Sequence, residues 1–407
     1  METNRAPVDR DAVDFILQLA RALHSYGTPS HQTEGLLGGI ASRLGVPAQF
    51  MATPTSILIS TGTRPSERIH LLRVEPGEQD LGKLSDVSEV ANAVSFGELT
   101  AAAGSARLAE IDRARPRYRS LVVILAMGLS SAAASRFLGG GAKELPVAAT
   151  IGLVIGLLSV VAARVKAVGR MFEFLAAFVA SALAGAAAHV IGPMSVYLAT
   201  LAGIIILIPG FTLTVAVTEL SNKHLVAGTS RLFGAITTFI VIAVGVAIGG
   251  TLMASLLGDP SLRAPIPLPG WTEALALAVA PLAFAVLLKA RPRDSLWILL
   301  TCGAGFAGTR LGSKVLGPEL GVFVGALVVG LAGSAYANLL KRPAAVLRVP
   351  GILMLVPGSI GFRSFTALLD RQVVPGVETA FKMITMATAL AAGLLIASVV
   401  APTRMAK

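Results

Sequence analysis

From about residue 120 to residue 400 the sequence is a succession of apolar runs of roughly 20 residues, separated by short segments that carry most of the charge. A helix rises about 1.5 Å per residue, so about 20 apolar residues cross the hydrocarbon core of a bilayer. Inside that core every backbone N–H and C=O needs an internal partner, which restricts spanning segments to helices or closed barrels. The chain is 54% hydrophobic and 14% charged, where a soluble domain carries about 25% charge. It therefore reads as a polytopic α-helical membrane protein. The net charge of +11 does not point to nucleic acid, because Lys and Arg sit in the short loops, as the positive-inside rule expects. The single cysteine, Cys302, lies inside an apolar run and leaves no intrachain disulfide to form. The polar, acidic start METNRAPVDRDAVDF lacks the basic head and apolar centre of a cleavable signal peptide.

Residues 1–119 read as a small soluble α+β domain, expected on the cytoplasmic side. Pro7 opens a helical pattern, and Ser30 is placed to cap a second helix ending near Gly45. Two strand-like runs follow, QFMATPTSILIS and RIHLLRVE, and then helices over about 81–103 and 106–113. After the basic segment RARPRYR come about ten expected spans, divided as 120–256 and 268–400. The loop charges predict both termini inside, in a bacterial inner membrane.

The two halves share a pattern. GIIILIPG at 203–210 matches GILMLVPG at 351–358, and LAGAA at 183–187 matches LAGSA at 331–335, both at an offset of 148 residues. Five spans per copy invert the second copy relative to the first, the architecture of many secondary transporters, whose sites use helices broken near mid-membrane. The breaks are expected in span four (194–219) at Pro209-Gly210 and in span nine (345–368) at Pro357-Gly358. Proline lacks an N–H and glycine leaves helical angles readily, so backbone groups are freed there for a polar ligand. Thr212, Thr214 and Ser359 flank the breaks as candidate substrate ligands, or as hydroxyls bonded to their own helices. Arg363 is a charge inside span nine, expected to bind a carboxylate or pair with an acid such as Glu378. Glu219, Glu173 and Glu378 are the candidate proton-coupling acids; Glu219 also reads as an interface residue and Glu173 as a boundary partner of Arg170. No metal cluster, cofactor motif, GxSxG elbow or phosphate loop is present in the sequence.

The residues HSYGTPSHQTEGLL, LGVPAQFMATPTSI, LIPGFTLTVAVTEL, VPGILMLVPGSIGFRS and GVETAFKMITMATALAAGLL resemble the threonine/serine exporter family over nearly the whole chain, with its two halves fused. The resemblance implies export of L-threonine and L-serine from the cytoplasm, driven by the proton gradient; no cofactor or nucleic-acid partner is expected, and a homo-oligomer is a possible assembly. The family often reads Leu-Thr-Asn-Ala and then Arg-Asp after the first Pro-Gly; this chain has Leu213-Thr214-Val215-Ala216 and Thr218-Glu219, which opens the substrate to another small organic solute. His24, Ser25 and His31 with Thr53-Pro54-Thr55 invite a second expectation, a membrane-anchored hydrolase; a passive channel is a third.

Overall fold

In the computed structural model the described residues are 9–75, 77–356 and 358–403, so Pro7 and Pro357 lie outside them. Helix α1 (Arg10–Ser25) is capped by Asp9, whose carboxylate accepts the Asp11 N–H, and it buries Phe15, Ile16, Leu19 and Leu23 along one stripe. Helix α2 (Ser30–Arg43) follows, preceded by Pro29, with no side-chain cap of its own. Ser30 is the first residue of that helix, not its cap. Strands β1 (Ala48–Thr53), β2 (Ser56–Thr61) and β3 (Arg68–Arg73) form an antiparallel sheet in sequence order. The run expected as one strand folds back at Pro54-Thr55, where the Thr53 hydroxyl accepts the Ser56 N–H and closes the turn. Helices α3 (Leu81–Ser95) and α4 (Ala101–Arg113) complete this N-terminal unit, capped by Asp80 and Thr100. The expected 81–103 helix stops at Ser95 because Gly97 adopts a left-handed φ of +77°.

The core of this unit does not close on itself. Phe15, Ile57, Leu81 and Val87 belong to one apolar cluster with Leu288, Ile298, Cys302 and Val346 of the apolar region. Polar contacts tie the same seam: the Leu81 N–H donates to Leu288 O at 2.9 Å and the Tyr118 hydroxyl to Ala290 O at 2.8 Å. Arg291, only 7% exposed, pairs with both Asp86 and Glu89 of α3.

The apolar region consists of α5 (Ser120–Phe137), α6 (Glu144–Ala162), the short α7 (Lys166–Arg170), α8 (Phe172–Ile191), α9 (Val196–Gly203), α10 (Gly210–Ser221), α11 (Leu225–Leu257), α12 (Trp271–Leu287), α13 (Ser295–Leu316), α14 (Pro318–Leu340), α15 (Ala345–Leu355), α16 (Gly358–Leu369) and α17 (Val373–Val400). Among the described residues six helices (α5, α6, α8, α11, α14 and α17) are long and apolar enough to cross a membrane. The count rises to eight if α9 with α10, and α15 with α16, each make one bent span. Ten were expected. The other two, α12 and α13, fall outside that set: α12 has 17 residues, and α13 carries Arg310 and Lys314 in its last turns. Small residues let the helices touch through their backbones. A Cβ on Gly249 of α11 would lie 2.4 Å from Phe178 O of α8, and one on Gly393 of α17 would lie 2.5 Å from Phe323 O of α14.

Candidate functional site

The two Pro-Gly segments break their helices and meet. Helix α9 ends at Gly203, a 3-10 turn covers Ile205–Leu207, Ile208 is extended (φ −69°, ψ 122°), and α10 begins at Gly210, with the axis turned by 54°. In the other half α15 ends at Leu355, Val356 is extended (φ −66°, ψ 136°), and α16 begins at Gly358, with a 41° turn. Residues 148 apart thus carry nearly the same backbone angles. A Cβ built on Gly210 would lie 3.1 Å from the Gly358 Cα, so the breaks abut backbone to backbone and only glycine fits at the crossing. Both α10 and α16 start there. Their first-turn N–H groups lack partners within the helix, and both positive dipole ends converge on one place.

The expected site residues separate into groups. Thr214 is buried and donates its hydroxyl to Gly210 O at 3.1 Å, while Thr218 donates to Thr214 O at 2.8 Å, the local bonding of helix hydroxyls. Thr212 and Ser359 are half-buried on the first turns of α10 and α16. Arg363 is exposed and lies beside Tyr197. The ion pair expected between Arg363 and Glu378 is not formed: Glu378 is exposed and bonds Lys382 at 2.7 Å, one helical turn on, because that spacing puts both side chains on one face of α17. Glu173 is exposed at the start of α8, without the expected ion pair to Arg170 among the described residues.

Glu219 has a different setting. It is fully buried at the end of α10, where one carboxylate oxygen accepts the Ser30 N–H of α2 at 2.9 Å and the other meets Arg231 Nε at 3.0 Å. A carboxylate from the apolar region thereby caps a helix of the N-terminal unit.

Beneath the crossing lies a cavity of about 370 Å³, walled by the N-terminal unit on one side and by α10, α14, α15 and α17 on the other. Thr28, His31, Phe211, Thr214, Thr218 and Arg348 are among its lining residues. Sequence reasoning did not single out Arg348; it belongs to α15, which begins at Ala345. Its Nη2 donates to Ser334 Oγ at 2.7 Å, its Nε is buried without a partner, and it forms no ion pair among the described residues. Gly333 makes the room, since a Cβ there would lie 2.7 Å from Arg348 Cγ. The one available signal was a lone arginine three residues inside an apolar run.

On the facing wall, burial holds the His31 imidazole down at about 4, with electrostatic contributions from the neighbouring His224 and Arg231 side chains adding to the effect. His24 is lowered too, chiefly by burial, against a bond to Pro54 O at 3.0 Å. Among the described residues neither imidazole has a serine or threonine hydroxyl as partner, so the constellation considered for hydrolysis is not assembled here.

Paired broken helices beside a partly open cavity, within a bundle of apolar helices, define a polytopic helical membrane protein. The chain belongs to the threonine/serine exporter family. The model described as "Putative threonine/serine exporter" matches residues 14–253, and that described as "Threonine/Serine exporter, ThrE" matches 273–400. It is similar to the "Pheromone-regulated membrane protein 10" of Debaryomyces hansenii (28% identical, covering 91% of this chain and 37% of that one) and of Pichia sorbitophila (26%, covering 86% and 36%). An uncharacterized protein of Schizosaccharomyces pombe is 28% identical over 85% of this chain and 47% of its own. The chain thus spans between about a third and a half of the length of these curated relatives. They are fungal, and so lend no support to the expected bacterial inner membrane or to the orientation of the termini. No solved structure matches the chain.

Proposed function

We propose that this protein is a secondary transporter exporting small polar amino acids, L-threonine and L-serine, by proton antiport. The observation that carries the reading is the meeting of the two breaks at Gly210 and Gly358. Two half-helix N-termini at one point attract a carboxylate, and the hydroxyls of Thr212 and Ser359 stand within the same first turns. On this reading 120–256 and 268–400 are inverted five-helix repeats, with α12 and α13 the sixth and seventh of ten spans. Two further correspondences at the same 148-residue offset support it: Ile208 and Val356 are both extended, and Gly245 of α11, packed against α8, has its counterpart in Gly393 of α17, packed against α14. Residues 1–119 are then a cytoplasmic domain. Transport proceeds as one repeat rocks on the other about the crossing, and Glu219, Glu173 and Glu378 are the acids available to couple a proton. The test is threonine flux into proteoliposomes of the purified chain under an imposed pH gradient. Uphill, serine-inhibited accumulation is the expected result; flux that only equilibrates, or none from a folded protein, refutes it.

A further inference from the structure

The cavity below the crossing is built from two units. Among the described residues its lining includes no aspartate, glutamate or lysine, and Arg348 is the single charged side chain. A guanidinium held half-buried without a carboxylate is costly unless something anionic joins it. Three of the lining residues hold a buried polar atom that has no partner among the described residues: Arg348 Nε, Thr28 Oγ1 and His31 Nδ1. Thr28 is only 5% exposed, so water does not serve its hydroxyl freely. The nearby acids are engaged elsewhere: Glu219 by Ser30 and Arg231, and Glu34 by the Ala52 N–H and His224. The remaining wall is largely apolar, with Phe211, Val349, Ile352 and Leu394. At about 370 Å³ the space is at the small end of ligand pockets, which run from about 300 to 1,000 Å³.

We propose that this cavity is a binding site for a small monocarboxylate, with Arg348 of α15 receiving the carboxylate and Thr28 and His31 of the N-terminal unit forming the facing wall. The guanidinium fork suits a carboxylate, and its N–H groups beyond those that Ser334 and Gly330 engage are the donors offered to the ligand. The apolar side receives the carbon skeleton, and Thr28, Gln32 and Thr218 offer oxygens to an ammonium or hydroxyl group. The N-terminal unit is thus a part of the site. Identifying this ligand with the exported amino acid rests on the export reading; the carboxylate site does not.

The test measures binding by calorimetry and flux in proteoliposomes, on the full chain, with L-threonine, lactate and L-threoninol, which lacks the carboxylate. Expected are binding of threonine or lactate but not threoninol, a loss of about 100-fold in Arg348→Gln and a smaller loss in Arg348→Lys. Gly35→Leu is the second variant, because Gly35 lines the cavity from α2 with nothing within 4 Å of a Cβ there. Gly35 is exposed, so a leucine there meets no steric clash at its Cβ and narrows the cavity at its rim; binding falls while the Tm holds. Unchanged binding in either Arg348→Gln or Gly35→Leu, or equal binding of threoninol, overturns the site. If those results accompany normal threonine export by the wild type, the site fails and the export reading stands. If lactate binds through Arg348 and no amino acid is exported, the site stands and the export reading fails.

Discussion

Replacing Gly210 by alanine probes the crossing directly. Gly210 has ordinary helical φ, so alanine costs no backbone strain and the penalty is purely steric. The new methyl would lie 2.1 Å from Val356 Cγ1, and ordinary contact begins at 3.4 Å, so the chains must part by about 1.3 Å. Its other close neighbours are backbone atoms of Gly358, which cannot rotate away. Overpacking of this kind costs about 1–3 kcal/mol. Taking about 2 kcal/mol, the equilibrium between this arrangement and any in which the breaks separate shifts by roughly 30-fold. Initial threonine flux in proteoliposomes, with the Tm of the purified protein, reads the effect: flux should drop and Tm should fall. Val356→Ala removes the clashing methyl, so the double variant should recover, with a coupling of about 1–2 kcal/mol. Wild-type flux and Tm in Gly210→Ala, or no recovery in the double variant, would refute the crossing as the working contact.

Three further outcomes follow from other contacts. Glu219→Ala leaves the Ser30 N–H uncapped and Arg231 unpaired; with Arg231 19% exposed, below-maximal destabilisation of about 2–3 kcal/mol is expected, read as faster hydrogen exchange at the start of α2, and unchanged exchange would rule out the cap. His31, held near 4 against an ordinary value of about 6.5, binds its proton more readily when unfolded; stability at this seam is full above pH 6.5 and falls as pH drops toward 4, by up to about 3 kcal/mol. The opening equilibrium of α2, read from exchange corrected for its intrinsic pH dependence, should rise from pH 7 to pH 4.5 in the wild type and much less in His31→Gln, and equal slopes would contradict the burial argument. Arg291→Ala should loosen α3 from the α12–α13 loop by about 2–4 kcal/mol, because it strips two carboxylates of a nearly buried partner; a Tm unchanged from wild type would show the clamp to be idle.

The breaks were legible in the sequence because proline and glycine act on their own few residues: LIPG and LVPG end a helix wherever they stand. The apolar runs were legible for a similar reason, since span length is fixed by the bilayer and not by neighbours. The hairpin at Pro54-Thr55 was missed, because alternation of apolar residues continues through QFMATPTSILIS and the fold-back is settled by pairing with β3. The fate of the charges could not be read from local pattern at all. Arg363 and Glu378 looked like partners, yet Glu378 found Lys382 on its own helix. Glu219 caps a helix 189 residues away, and Arg348 sits half-buried where Gly333 of another helix leaves it room. By itself the sequence determined that the chain is a polytopic helical membrane protein and where two of its helices break, as these depend on local backbone chemistry and on hydropathy summed along the chain. Only the tertiary structure decided which polar groups share a cavity, since a buried charge is placed by whichever distant segments pack around it.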